Sequence, residues 1–482
     1  MKQKSIWLNE ISNPSSDSLD KDITCNILII GGGMAGMNVA LNLIDEDDVV
    51  LIDKGEVGYG VTSHTTGKLT YLQGTMYRDI MKAYDFDVAR DYLSSQKEAI
   101  DIALSNIEKY NIDCDLEKSD SFLFTTSDNG DLNKERDFLT KCNIKYEDAK
   151  LPIKIPCVDC FKVTDTYVFH PLKYIMALKT VVKDKIKIYE NTRAIDLDIY
   201  DDYYLIKTEK GNIKTKKLVI ATHYPFFIIP GLLPIKLGLE QSYAMAAKHI
   251  NGKFNAINID KEVYSIRFYK DNIIVGGFSH ALSENIDYKG EEDKLLNFYN
   301  TYFENPIDEV WMTHDLKAHD YLPMIGRFDN HPNLFLATAF NKWGMTNGIL
   351  SGKILSDLIK GKENKYESLF KINRPFSLEK AKNFTTDNFK IGKVYVESKL
   401  NKNKEFYNKV YVKDIDGISC GIYVDEEGNK HIVKNTCPHF KCSLIFNNAD
   451  KTWDCPCHGS RFDIDGNLIE GPSVFSIKIN DD

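Results

Sequence analysis

The chain has 482 residues, of which 43% are hydrophobic and 27% charged, and this balance predicts a globular protein of about three domains. Its formal net charge of −9 argues against a broadly basic, phosphate-binding surface, so nucleic acid is not an expected partner. The N-terminus lacks an apolar signal segment, and no apolar run approaches the roughly 20 residues of a membrane span. We therefore expect a cytoplasmic protein without a membrane span.

The first strong pattern follows a polar lead-in at residues 1–23. Residues 25–30 form a short apolar run that is typical of a buried parallel strand, and it ends at the G-x-G-x-x-G sequence of residues 31–36. This turn opens a predicted helix over 34–44. The next apolar run, 49–52, ends at Asp53. Strand, glycine turn, helix, strand and acid occur in the order of a dinucleotide-binding unit.

Each residue of this unit has a physical role in binding a dinucleotide. Gly31 permits the tight turn, Gly33 lets the backbone approach a pyrophosphate, and Gly36 lets the helix pack closely on the strand. The helix N-terminus at Met34 and Ala35 offers free N–H donors to the phosphates. Asp53 can accept hydrogen bonds from a ribose hydroxyl. A merely tight strand-to-helix turn is the alternative.

The glycine- and threonine-rich residues 54–68 resemble the flavin-contacting loop of the D-amino-acid oxidase (DAO) family of FAD enzymes. Residues 217–222 look like the family's strand that returns to the FAD domain, and residues 320–348 look like its closing flavin segment. The resemblance implies bound FAD, with contacts beyond the glycine turn at Lys54, Gly60, Thr62, Ser63, His64, Thr65, Ala194, Thr222, Gly344, Met345 and Thr346. No second G-x-G-x-x-G indicates an NAD(P)H site, so an organic substrate is the expected electron source.

His64 raises the question of covalent flavin attachment. Residues 60–64 are similar to the loop of dimethylglycine and sarcosine dehydrogenases, whose histidine is bonded covalently to the flavin methyl carbon. Thr65 and Thr66 replace the small residues of that loop. Noncovalent contact with the flavin is therefore the favoured interpretation, and covalent attachment stays open.

The resemblance also implies a domain plan. The FAD-dependent oxidoreductase domain covers residues 24–362, with FAD-binding segments at about 24–78, 160–225 and 320–362. The insertions at about 79–159 and 226–319 are expected to build a substrate domain whose mixed sheet roofs the flavin. In that roof, Arg267 is a candidate contact for a substrate carboxylate, with a surface arginine as the alternative.

Residues 363–400 are charged and predict a linker, and residues 401–482 predict a small all-β domain. This domain carries Cys437-x-His439 and Cys455-x2-His458, two knuckles that each offer one thiolate and one imidazole. Such a set suits a [2Fe–2S] cluster, whereas tetrahedral zinc usually separates its cysteine and histidine pairs. The knuckles match the Rieske motif, which makes Cys437, His439, Cys455 and His458 the expected iron ligands.

The same match to the Rieske motif has three further implications. Cys442 and Cys457 are expected to form the disulfide that bridges the two loops, with two buried thiols as the alternative. Ser460 corresponds to a serine that donates to a cluster sulfur. Phe462 stands where high-potential members have a hydrogen-bonding tyrosine, so we expect a cluster of middling potential.

The predicted fold class is an α/β (α+β) Rossmann-like FAD-binding domain with a mixed-sheet substrate domain, plus a small all-β Rieske domain. The predicted function is oxidation of an amine or amino-acid-type substrate by hydride transfer to FAD. Electrons would then pass singly through the [2Fe–2S] cluster to an external one-electron carrier such as a ferredoxin-like protein. Two alternatives remain: a reductase fed by a ferredoxin-like donor, and a redox-sensing flavin and iron–sulfur protein.

Overall fold

The computed structural model describes residues 2–9, 11, 14–128, 130–227, 233–249, 252–282, 287–374, 378–400, 404–407 and 409–479. Up to residue 170 the elements are β1 (Lys2–Gln3), β2 (Ile23–Ile30), α1 (Met34–Asn42), β3 (Val49–Ile52), β4 (Lys68–Leu69), α2 (Met76–Ala83), α3 (Phe86–Lys109), β5 (Glu117–Lys118), β6 (Asp120–Thr125), α4 (Asn133–Lys141), β7 (Glu147–Asp148), β8 (Asp159–Val163) and β9 (Tyr167–Val168).

The middle of the chain contains α5 (Pro171–Val182), β10 (Lys187–Tyr189), β11 (Ala194–Ile199), β12 (Tyr204–Thr208), β13 (Asn212–Ile220), α6 (Leu233–Lys236), β14 (Leu237–Lys248), β15 (Phe254–Asn258), β16 (Tyr264–Tyr269), β17 (Asn272–Ala281), α7 (Tyr288–Tyr302), β18 (Ile307–Ala318), β19 (Met324–Phe328), β20 (His331–Thr338), α8 (Gly344–Ile359) and α9 (Glu367–Phe370). The last part contains α10 (Leu378–Leu400), β21 (Lys404–Tyr407), β22 (Val410–Ile415), β23 (Ile418–Val424), β24 (Lys430–Lys434), β25 (Ile445–Asn447), β26 (Thr452–Asp454), β27 (Arg461–Phe462) and β28 (Leu468–Glu470).

The nucleotide-binding sheet has the strand order β10-β3-β2-β13-β12-β11, and β20 joins it beside β13 with β19 at its edge. Strands β2, β3, β10, β13 and β20 pair in parallel. All four residues of β3 are buried, as expected for a parallel strand that is covered on both faces. Helices α1 and α8 pack together over this sheet, and their apolar residues belong to one continuous core.

A second, nine-stranded mixed sheet forms the roof, with the order β1-β18-β14-β17-β16-β15-β6-β8-β7. Its long central strands β14, β17 and β18 are antiparallel, and β6 joins β15 in parallel from a distant part of the chain. Together with the parallel sheet, this arrangement confirms the predicted α/β FAD-type domain with a mixed-sheet substrate domain.

The N-terminal segment is more than the polar surface lead-in that the sequence suggested. Trp7 is fully buried, and its indole N–H donates to the carbonyl of Thr65 at 2.6 Å. Its ring packs edge-on against His170 and Tyr269. The segment thereby supports the predicted flavin loop from behind.

The C-terminal domain is all-β, as predicted. It contains two four-stranded antiparallel sheets, β21-β22-β23-β24 and β25-β26-β27-β28. A small core around Trp453 and Phe462 includes the four cysteines of the two knuckles. The knuckles are the loop before β25 and the turn between β26 and β27.

The predicted linker contains a helix, α10, that the residue pattern did not indicate. Asn383 on α10 donates to the His319 carbonyl at 2.9 Å, and the Asp387 carboxylate lies 3.1 Å from the His319 ring. Further along, Ile391 packs against the core of the C-terminal domain. The helix therefore contacts both domains and fixes one against the other.

Candidate functional site

The glycine turn has the backbone geometry that a dinucleotide cradle requires. Gly31 has φ +105°, and a Cβ there would lie 2.5 Å from the Ala221 carbonyl oxygen. A Cβ on Gly36 would lie 1.8 Å from the Gly31 oxygen, so α1 packs on the turn only because both residues are glycine. The backbone is thus left open to a ligand at the N-terminus of α1.

Asp53 stands at the end of β3, where it is oriented by the loop around it. Its carboxylate accepts hydrogen bonds from the Gly32 N–H at 2.7 Å and the Gly55 N–H at 2.9 Å. Burial raises the pKa of Asp53, although these two amides oppose the shift. The carboxylate lines the cavity beyond the turn, in a position suited to a ribose hydroxyl.

A cavity of about 1180 Å³ begins at this turn and runs beneath the roof sheet. Typical ligand pockets occupy roughly 300–1,000 Å³, so this one has room for a large cofactor and a substrate together. The cavity is lined by most of the predicted FAD contacts: Gly31, Gly33, Met34, Ala35, Asp53, Lys54, Gly60, Thr62, His64, Thr65, Ala194, Thr222, Gly344 and Met345. Gly36, Ser63 and Thr346 do not line it; they are buried behind its wall. The residues present therefore fit FAD.

His64 lies on the cavity wall at the end of a short 3-10 helix, Val61–Ser63. Its Nδ1 is 3.0 Å from the Gly60 carbonyl and 3.1 Å from the Ser63 hydroxyl. Burial lowers the pKa of His64, so the imidazole is neutral at pH 7. The position suits a flavin neighbour, and covalent attachment stays a hypothesis.

Arg267 does not have the predicted role of a substrate contact. It is fully buried outside the cavity lining, and its guanidinium donates to the carbonyls of Thr66, Gly67 and Phe169 at 2.5, 2.7 and 2.8 Å. The group also lies over the Trp7 ring, 4.9 Å from its centroid. Because both terminal nitrogens of its guanidinium donate to these carbonyls, Arg267 holds the flavin loop in place rather than binding a ligand.

Lys68, by contrast, is a buried cation that lines the cavity. Its ammonium donates to the Ala256 carbonyl at 3.1 Å, which leaves donor capacity on the cavity side. Burial, with the nearby Arg267 charge, lowers the pKa of Lys68 to about 7. An anion in the cavity would stabilise its charged form.

The four predicted iron ligands come together at the tip of the C-terminal domain. The rings of His439 and His458 lie 5.1 Å apart, and the thiols of Cys437 and Cys455 share a hydrogen bond. Among the described residues, both ring nitrogens of His439 and Nδ1 of His458 are buried without a hydrogen-bond partner. Because buried polar atoms are normally paired, this donor set fits a metal cluster.

The electrostatics of the four side chains are consistent with that role. Burial lowers the pKa of His439 to about 4 and of His458 to about 3, so both imidazoles are neutral. The hydrogen bond from Cys455 lowers the pKa of Cys437 to about 7, and the same contact raises that of Cys455. Neutral imidazoles and an accessible thiolate are the forms that bind metal.

The sulfurs of Cys442, Cys455 and Cys457 lie within 4.8 Å of one another. Cys442 and Cys457 are joined as a disulfide with their Cα atoms 6.6 Å apart, so Cys455 is the candidate metal ligand of this group. Ser460 is buried beside them. It accepts a hydrogen bond from the Ser473 N–H at 2.9 Å and contacts Cys437 with its hydroxyl.

The C-terminal domain closes one side of the FAD cavity. His458, Arg461, Glu470 and Ser473 line the same cavity as the glycine turn. Gly459 approaches the roof so closely that a Cβ would lie 2.5 Å from Leu239 and 3.2 Å from the His314 ring. One of the expected cluster ligands therefore borders the flavin site directly.

A chain of polar side chains runs from the roof to this closing wall. The Tyr243 hydroxyl is 3.0 Å from His280 and 2.9 Å from the Gln241 amide nitrogen. Gln241 is 3.4 Å from the His314 ring, which in turn lies 3.8 Å from the Glu470 carboxylate. Burial alone would raise the pKa of Glu470, but His314 and neighbouring cations hold it at about 2.

The residues that join the two domains were not predicted from the sequence. Tyr224, His314 and Glu470 come from three distant stretches, and no local motif marks them. Their one sequence-level signal is proximity to recognised positions, because Tyr224 follows Thr222 and Glu470 follows the second knuckle.

Within the described part of the chain, no helix is long and apolar enough to cross a membrane.

Comparison with known proteins supports both halves of the chain. Residues 26–358 match the model of the FAD dependent oxidoreductase family (DAO), and residues 393–479 match the Rieske [2Fe-2S] domain. The putative Rieske 2Fe-2S iron-sulfur protein YhfW of Bacillus subtilis is 30% identical over 98% of this chain and 97% of its own length. Gamma-glutamylputrescine oxidoreductase of Escherichia coli is 22% identical over 73% of this chain and 87% of its own length.

Among solved structures, glycine oxidase from Geobacillus kaustophilus superimposes with a TM-score of 0.63 at 16% identity. It covers 73% of this chain and all of its own length, which shows a shared fold for the FAD domain. These matches confirm the use of FAD and of a [2Fe–2S] cluster. The chain therefore belongs to the FAD dependent oxidoreductase (DAO) family and carries a Rieske [2Fe–2S] domain at its C-terminal end.

Proposed function

We propose that this oxidoreductase oxidises an amine or amino-acid-type substrate at FAD and passes the electrons singly through the Rieske cluster to an external one-electron carrier. The observation that carries the proposal is the shared cavity, which is lined both by the glycine turn and by His458 of the other domain. Relatives and fold neighbours of the FAD domain include proteins named for amine and amino-acid substrates.

Bound FAD supplies the acceptor for a hydride and its two electrons, whereas a [2Fe–2S] centre accepts one electron at a time. The chain's own residues bind and orient the reactants. The glycine turn and Asp53 would hold the dinucleotide end, and residues of the roof strands β14 and β17 line another part of the cavity. Such positioning is the main contribution a protein makes to this chemistry.

Lys68 replaces Arg267 in this proposal as the group that meets a substrate carboxylate. Its ammonium is buried at the cavity wall, and among the described residues it donates to one backbone carbonyl, that of Ala256. A carboxylate bound there would form an ion pair with this ammonium and offset the free-energy cost of burying its charge. The neutral form, which the pKa of about 7 makes accessible, can instead accept a proton at Nζ.

Anaerobic mixing of the holoprotein with a panel of amino acids and N-methyl amines tests the direction of electron flow. We expect one class to bleach the flavin absorbance first, followed by the electron paramagnetic resonance signal of the reduced cluster. The matched control is a panel of the corresponding carboxylates that lack the amino group. These should bind without bleaching the flavin.

The opposite result would support the reductase alternative. If no amine bleaches the flavin, but a reduced ferredoxin reduces the cluster and then the flavin, the proposed direction is wrong. A reduced flavin that never passes an electron to the cluster would contradict the proposed outlet instead. The two failures are distinguished by which centre changes first.

A further inference from the structure

Tyr224 lies between the FAD cavity and the cluster ligands. It follows β13, and the Thr222 hydroxyl donates to its backbone carbonyl at 2.9 Å, which fixes the turn. The ring packs edge-on against His439 and His458, with centroids 6.3 and 6.1 Å apart. A residue of the FAD domain thus contacts both imidazoles of the other domain.

The phenol hydroxyl of Tyr224 is buried without a hydrogen-bond partner among the described residues. A buried hydroxyl without a partner is unfavourable, so its position calls for an acceptor. A phenol is ordinarily neutral near pH 7, so this hydroxyl keeps its proton and can donate it. Its ring lies against two of the expected cluster ligands, so the hydroxyl is a donor in the neighbourhood of the cluster site.

The Rieske domain itself lacks a phenol donor at the expected position. Phe462 is fully buried in its core and has no hydroxyl to offer. Ser460 supplies one donor from within the domain, since its oxygen already accepts from Ser473 and its proton remains for a sulfur. A phenol donor to the cluster would therefore come from outside this position.

We propose that the Tyr224 hydroxyl, supplied by the FAD domain, donates a hydrogen bond to the sulfur of the Rieske cluster or of its Cys455 ligand. Such a bond favours the reduced, more negative cluster and so raises its reduction potential. The potential of the cluster then depends on contact between the two domains. The inference rests on the cluster ligands assigned above and not on the direction of electron flow.

The test is the reduction potential of the cluster in the full-length Tyr224→Phe holoprotein. Phenylalanine keeps the ring against both histidines and removes only the donor. We expect the midpoint potential, followed by the cluster's paramagnetic resonance signal, to shift to a more negative value. Pulsed resonance in D2O should show the loss of one exchangeable proton coupled to the reduced cluster.

Tyr204→Phe is the matched control, because Tyr204 is a buried phenol on the neighbouring strand β12. It should leave the cluster potential unchanged. An unchanged cluster potential in Tyr224→Phe would overturn the proposal, and a shifted flavin potential in the same variant would show that the hydroxyl serves FAD instead. Absence of any cluster signal in the wild-type holoprotein would instead overturn the ligand assignment itself.

Discussion

At the scale of single residues, Arg267 shows how one side chain can organise a cofactor loop without touching the cofactor. Its guanidinium holds three carbonyls from two separate stretches of chain, and it stacks on Trp7. Burial lowers the pKa of Arg267 to about 9, which reflects the cost of enclosing its charge. That cost is offset by hydrogen bonds that neutral side chains cannot make in the same number.

Replacing Arg267 with methionine should destabilise the FAD domain by roughly 3 kcal/mol or more, because three buried carbonyls lose their donors at about 1–3 kcal/mol each. Urea unfolding at saturating FAD measures the loss. Arg327→Met is the control: Arg327 pairs with Glu367 at a surface site where both side chains are 38% exposed, so about 0–1 kcal/mol is expected. Equal unfolding midpoints for the two variants would show that Arg267 is not a structural clamp.

At the scale of elements, the four candidate cluster ligands lie on two loops that have little regular structure of their own. The loop before β25 carries Cys437 and His439, and the turn after β26 carries Cys455 and His458. The Cys442–Cys457 disulfide joins them across a sequence separation of 15 residues. In the chain-entropy model, closing a loop of this length contributes about 3 kcal/mol.

A Cys442→Ser, Cys457→Ser double variant should therefore lose its cluster faster on heating, while its FAD content is unchanged. The decay of visible circular dichroism from the cluster provides the measurement. Cys420→Ser serves as the control, since Cys420 is a free, buried cysteine of the same domain. Similar decay of the two variants would mean that the ligand loops hold their shape without the bridge.

At the scale of the whole molecule, the domains are held together by α10 and by a direct interface. Asn448 of the Rieske domain donates to the Asp287 carboxylate at 2.9 Å and accepts from the Lys289 N–H at 3.0 Å. Asn447 contacts the Met312 sulfur beside it. These contacts keep His458 against the FAD cavity.

Asn448→Asp should weaken this docking, because it removes the donor and places a second carboxylate beside Asp287. We expect electron exchange between flavin and cluster to slow, on the order of tenfold if docking loses about 1.4 kcal/mol. Flash photoreduction of the flavin gives the rate, and added salt should recover part of it.

Asn429→Asp is the control. Asn429 donates to Asp425 in its own hairpin at 2.9 Å, so this variant also places a second carboxylate beside an aspartate, but away from the interface. Its exchange rate should match the wild type. Equal rates in both variants would indicate that the interface does not control the distance between the centres.

The sequence predicted those parts of the molecule whose residues lie close together along the chain. The glycine turn with Asp53 and the two ligand knuckles follow from backbone and coordination geometry over a few residues. The substrate contact predicted for Arg267 was wrong, because its hydrogen-bond acceptors lie about 200 residues away, at Thr66 and Gly67. Tertiary packing determines the burial of Arg267, and the residue pattern within one strand does not reveal that packing.

The same reason explains why α10 and Tyr224 escaped prediction. Residues 363–400 are rich in lysine and glutamate, which are good helix formers, but they lack the apolar stripe of a core helix. The place of Tyr224 depends on how two domains meet. Contacts of that kind become visible only when both partners are folded.

Helix α10, at 23 residues, has a length of about 35 Å and contacts both domains, so it acts as a strut rather than a flexible tether. This strut determines the kinetic order of electron exchange between the flavin and the cluster. Because the flavin and the cluster of a single chain are held together, exchange between them has the character of an intramolecular step with a high effective concentration. Cluster reduction after flavin reduction should then be first-order, with a rate constant that does not change when the protein is diluted.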